Sequence, residues 1–93
     1  MYNIVYVDEV VIKDLSEILE PWKTEIKNAI ERKLMTRPEV YSRPLKRSLK
    51  GYRKLKVGEY RIVLRIEKNR VIIFVIQHRS TVYEIAPIRT QAK

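Results

Sequence analysis

Apolar positions change their spacing three times along the chain, and each change marks an element. Tyr2 to Val7 is a β-branched and aromatic run that predicts a first strand. Asp8 then stands as a helix N-cap, with Glu9 in the first turn where a carboxylate complements the helix dipole. Val11, Leu15 and Ile18 follow at helical spacing and predict a short helix over roughly residues 9–19. Pro21 opens a second helix at the position where its missing N–H costs nothing. Trp22, Ile26, Ala29, Ile30 and Leu34 form the apolar stripe of that helix, with Lys23, Lys27, Glu31 and Lys33 largely outside it. The short connection makes the two helices an antiparallel hairpin.

From Thr36 to Tyr52 the chain carries Pro38, Pro44 and Gly51 and reads as loop, with a turn of helix at Leu45–Leu49. The period then becomes two. Leu55, Val57, Tyr60, Ile62, Leu64 and Ile66 alternate with Lys54, Lys56, Arg61, Val63 and Arg65, and Gly58-Glu59 forms a two-residue turn of the Gly-X kind. Lys68-Asn69 marks a second turn, and Arg70 to His78 is apolar enough to be a central strand. The order is β-α-α-β-β-β. It predicts an α+β fold, a single domain over residues 1–93, with a small antiparallel sheet packed on one face by the helical hairpin. Trp22 and Tyr60 read as core, and Pro87 argues against one continuous helix over Ile85–Lys93.

If Gly58-Glu59 is the loop, Val57 opposes Tyr60, Lys56 opposes Arg61, Leu55 opposes Ile62 and Lys54 opposes Val63. Lys54, Lys56, Arg61 and Arg65 then share the face away from the helices. Like charges directly opposed in a sheet destabilise it, so stability alone does not select a Lys56–Arg61 pair. With Lys68-Asn69 as the second loop, Arg65 opposes Ile72, Val63 opposes Phe74 and Arg61 opposes Ile76, with His78 near the Arg61 end. This register predicts an open face on which a cationic patch adjoins an apolar floor of Ile72, Phe74 and Ile76, fit for an amphipathic partner helix.

Charge sharpens the picture. Residues 1–39 carry net −2, whereas residues 40–93 carry net +11, for a total of +9. Eight of the basic residues (Arg43, Lys46, Arg47, Lys50, Arg53, Lys54, Lys56 and Arg61) fall between Arg43 and Arg61 with one acid, Glu59. Such a field is self-repulsive, and a phosphate polyanion or an acidic partner relieves it; a solvated basic face is the plain alternative. The 93 residues are 45% hydrophobic, which suits a folded chain with one modest core. With no cysteine and the single His78, neither a disulfide nor a zinc site is expected, nor any cofactor. No apolar run reaches bilayer length and Met1 to Asp8 lacks signal-peptide features, so a soluble cytoplasmic protein without membrane association is expected.

Leu45 to Val63, with its Gly51-Tyr52, Lys54-Leu55-Lys56 and Val57-Gly58-Glu59-Tyr60-Arg61, resembles the central block of the RelE/ParE toxin superfamily. Gln77-His78-Arg79-Ser80-Thr81-Val82-Tyr83 resembles its closing segment. The resemblance implies the toxin of a type II toxin–antitoxin pair. RelE-type members cut mRNA in the ribosomal A site; ParE-type members share the fold and inhibit DNA gyrase. The basic-x-basic pair followed by Tyr-Arg, together with the closing tyrosine, is nearer the RelE type. By resemblance Lys54, Lys56, Arg61, Arg79 and Tyr83 are the catalytic set, with either His78 or Arg79 in the late cationic position.

Metal-free RNA cleavage requires attack by the ribose 2′-OH on the adjacent phosphate, with charge stabilised at phosphorus and at the leaving oxygen. Arg61 and Lys56 suit the phosphate, Lys54 the general base, Tyr83 a flanking base or the 2′-OH, and Arg79 or His78 the leaving oxygen. Arg43, Lys46, Arg47, Lys50, Arg53, Arg65 and His78 are candidates for contacts to RNA and ribosome. An acidic antitoxin, the ribosome and mRNA are the expected partners, with operator DNA reached only through the antitoxin complex. Gyrase inhibition and a basic binding module without catalysis are the rival functions.

Overall fold

The computed structural model describes residues 1–91 and places five strands in the order β1-β5-β4-β3-β2. These are β1 (Asn3–Tyr6), β2 (Arg43–Pro44), β3 (Arg53–Val57), β4 (Tyr60–Glu67) and β5 (Arg70–His78). The expected first helix is present as Val10–Asp14 followed by the tighter turn Leu15–Glu17. Its first part is wide, since Leu15 N–H bonds to Val10 O. Helix α1 (Trp22–Ala29) continues through Ile30–Leu34, and α2 (Pro38–Tyr41) is one short turn. The expected helical turn before β3 is confined to Arg47–Leu49.

The mixed α+β class and the helical hairpin agree with the sequence, but three features differ. The sheet is not wholly antiparallel, because β1 lies parallel to β5, with Asn3 opposite Arg70 and Tyr6 opposite Ile73. Parallel pairing needs a crossover, and the helical hairpin supplies it. Second, residues 82–91 form a helix, α3 (Val82–Gln91), with Pro87 inside it; residues 92–93 lie outside the described residues. Pro87 donates no N–H toward the carbonyl of Tyr83, and the helix persists because Val82, Ala86 and Thr90 are buried against the rest of the molecule. Third, both faces of the sheet are therefore covered.

One core lies under the hairpin: Val10, Ile18, Ile26, Ile30 and Leu34 meet Leu55, Ile62, Leu64, Val71, Ile73 and Ile76. The other lies under α3, where Val82 and Ala86 meet Val63, Ile72, Phe74 and Val75. The first hairpin has the expected register throughout, including Lys56 opposite Arg61. The second departs from it. Arg65 opposes Ile72 as expected, but Val63 opposes Val75 and Arg61 opposes Gln77, because Phe74 is an extra residue in a bulge. The expected open apolar floor does not exist: α3 covers Ile72 and Phe74, and the bulge turns Ile76 into the hairpin core. Trp22 is also not core. It is 37% exposed and lies over the Gly58 turn, 5.9 Å between ring centroids from the half-buried Tyr60.

Candidate active site

At one end of the sheet, β3, β4, the end of β5 and the first turn of α3 surround an open cavity of about 540 Å³. Lys54, Lys56, Arg61, His78, Arg79, Ser80 and Tyr83 line it. All five residues of the expected catalytic set thus come together, although they arise from two strands, the turn after β5 and a helix. Two-residue spacing puts Lys54 and Lys56 on one face of β3, and the Gly58-Glu59 turn brings Arg61 opposite Lys56. Gly58 has φ +57, which lets the turn be this tight. The turn also holds Arg61: Nη1 donates to Gly58 O and Tyr60 O, each at 2.9 Å.

Tyr83 is 43% exposed, and the Lys54 ammonium lies 5.9 Å from its ring centroid, a cation–π contact. Arg79 is tied to the hairpin tip, its N–H bonding Glu59 O at 2.8 Å and its Nε facing Glu59 Oε1 at 3.2 Å. His78 packs edge-on to Tyr60. The Ser80 N–H donates to His78 Nδ1 at 3.1 Å. An amide N–H only donates, so Nδ1 is the acceptor and neutral His78 carries its proton on Nε2.

The candidate RNA contacts divide. Arg43, Lys46, Arg47 and Lys50 are exposed, and Arg43 opposes Lys54, so β2 extends the basic surface outward from the cavity. Arg53 and Arg65 are engaged within the fold. Arg53 donates to Ser42 Oγ, Ser42 O and Glu39 O, fastening the loop before β3. Arg65 pairs with Glu67, donates to the Tyr52 hydroxyl at 3.1 Å, and lies over the rings of Tyr52 and Phe74. Ser80, not singled out in the sequence, joins the cavity through the turn after β5; its neighbours His78 and Arg79 were the available signal.

Residues 5–83 match the ParE toxin of type II toxin-antitoxin systems, parDE, and the chain belongs to this family of the RelE/ParE toxin superfamily. The fold is similar to that in the toxin-antitoxin complex RelBE2 from Mycobacterium tuberculosis, with TM-score 0.72 and 23% identity over 84% of this chain and 98% of that one. It is also similar to that in the RelB-RelE antitoxin-toxin complex from Methanococcus jannaschii, with TM-score 0.68 and 21% identity over 86% and 95%. A conserved hypothetical protein from Helicobacter pylori shares the fold at TM-score 0.63 and 14% identity, over 86% and 97%. No curated protein sequence matches the chain. Among the described residues no helix is long and apolar enough to cross a membrane.

Proposed function

We propose that this type II toxin is a ribosome-dependent endoribonuclease that cuts mRNA in the A site and so stops translation in the cytoplasm. The observation that carries the reading is the convergence of Lys54, Lys56, Arg61, His78, Arg79 and Tyr83 on one open cavity. The scissile phosphate sits against Arg61 and Lys56, whose fixed charges stabilise the pentacoordinate transition state. Lys54 Nζ takes the 2′-OH proton as that oxygen bonds to phosphorus and the bond to the 5′ oxygen breaks. Tyr83 stacks on a flanking base. A guanidinium does not release its proton, and His78 has Nδ1 occupied by the Ser80 N–H. Arg79 and the His78 Nε2–H therefore stabilise the leaving oxygen by hydrogen bonding, and solvent protonates it.

The exposed Arg43, Lys46, Arg47 and Lys50 contribute phosphate contacts that position the toxin without specifying sequence. The two RelB-containing neighbours were determined with antitoxins, which supports an acidic antitoxin that neutralises the cavity. A gyrase-directed toxin is the second reading, favoured by the ParE family match.

In vitro translation with primer extension separates the two. A-site cuts with the native chain, reduced on the order of 10²–10³-fold by Arg61→Ala and by Lys54→Ala, are expected. Uncut mRNA and unimpaired translation would reject the ribonuclease and move the test to gyrase supercoiling.

A further inference from the structure

Strand β1 ends opposite Ile73, so the outer edge of β5 is left without a strand beyond that point. An ion pair occupies it. Asp14, 1% exposed, accepts the Ile76 N–H at 2.8 Å, and Arg89 Nη1 donates to Phe74 O at 3.1 Å and to Asp14 Oδ2 at 2.7 Å. Asp14 Oδ1 also accepts Gln77 Nε2 at 2.8 Å, and Gln77 Oε1 accepts the Thr81 hydroxyl at 3.1 Å, a hydroxyl that also faces His78 O at 3.3 Å. One carboxylate is thus tied to both ends of α3, through Arg89 near its end and through Gln77 and Thr81 at its start.

Helix α3 needs such ties. Its buried residues, Val82, Ala86 and Thr90, are all small side chains, so each brings few dispersion contacts. Pro87 removes the N–H that would bond the Tyr83 carbonyl, so the turn carrying Tyr83 is less fixed by the helix itself. An apolar pair would stabilise the fold as well as a buried ion pair does, but without its directionality.

We infer that Asp14, acting through Gln77 and Thr81, is a positioning residue that sets Tyr83 against Lys54. Its catalytic consequence rests on the ribonuclease reading; its geometric consequence does not. The link is cut at two places that leave the Asp14–Arg89 pair in place: Thr81→Val removes the hydroxyl, which Thr81→Ser restores, and Gln77→Leu removes the connection to Asp14 while leaving the hydroxyl its His78 O partner.

Chains of residues 1–93 bearing 3-fluorotyrosine at Tyr83 would be compared by 19F NMR, melting temperature and single-turnover A-site cleavage. Thr81→Val should leave melting nearly unchanged and move the 19F signal toward that of the Lys54→Gln reference. It should slow cleavage roughly 10–100-fold at unchanged half-saturating ribosome concentration, with Thr81→Ser close to native. A native 19F signal in Thr81→Val or in Gln77→Leu overturns the inference, as does a native cleavage rate in either. So does an equal loss in Thr81→Ser. If the native chain cuts no mRNA, the ribonuclease reading fails and the 19F comparison alone decides this one.

Discussion

Gly58→Ala tests the corner on which the cavity is built. A Cβ at residue 58 would lie 2.3 Å from Cη2 and 2.4 Å from Cζ3 of Trp22, far inside contact distance. Trp22 is 37% exposed, so its ring can swing outward, giving up its contact with Tyr60. An aromatic pair of this kind contributes about 0.5–1.5 kcal/mol. The backbone adds a second cost, since φ is +57 and an L-residue in left-handed geometry is disfavoured by about 1–2 kcal/mol. Together they predict a loss of about 1.5–3.5 kcal/mol, or roughly 6–28 °C in Tm for a chain of this size. Far-UV circular dichroism melts of Gly58→Ala, Trp22→Ala and the double variant measure it. In the Trp22→Ala background the same change should cost only the backbone share of about 1–2 kcal/mol. A Tm drop of Gly58→Ala below about 3 °C, or equal costs in the two backgrounds, refutes the reasoning.

Two further outcomes follow from charge. Lys56→Gln removes the like-charge pair with Arg61 and should stabilise the fold by about 0.2–1 kcal/mol, raising Tm and, on the proposed ribonuclease function, reducing cleavage; a lower Tm would count against the site being built at the expense of stability. The Tyr2 hydroxyl donates to Glu39 at 2.6 Å, and this bond holds the Glu39 carboxyl below its ordinary 4.5 and pushes the Tyr2 hydroxyl above its ordinary 10.0. The Glu39 contribution is complete above pH 4.5 and lost as pH falls through its folded value. The Tyr2 contribution is complete below pH 10.0 and lost as pH rises through its folded value. The Tm difference between native and Tyr2→Phe should therefore be flat between those limits and shrink on both sides; a difference independent of pH would exclude this bond as its source.

The first hairpin was legible because one two-residue turn fixed its register, and Leu55, Val57, Tyr60 and Ile62 accept no other without exposing the core face. The bulge at Phe74 was not. Val71 to Ile76 is an uninterrupted apolar run, so shifting the pairing by one residue still buries an apolar side chain on either face. Pro87 misdirected the reading of α3, since a local helix preference was outweighed by burial of Val82 and Ala86. Asp14 gave no sign of its role: it is one acid in a charged segment, and its partners Ile76, Gln77 and Arg89 are distant in sequence. The cavity residues were found because each lies on a strand face or in a closing segment that pattern and resemblance both reach.

The parallel pairing of β1 with β5 also sets an order of events in time. During synthesis Asn3–Tyr6 waits without a partner until Arg70–Ile73 has been made, at about 5–20 residues per second. Most of the basic residues are present by then, yet His78, Arg79 and Tyr83 follow still later in the chain. A nascent chain therefore carries its charge before its folded sheet, and its folded sheet before its cavity. Any partner that captures the basic segment early meets an open chain in which the cavity has not yet formed.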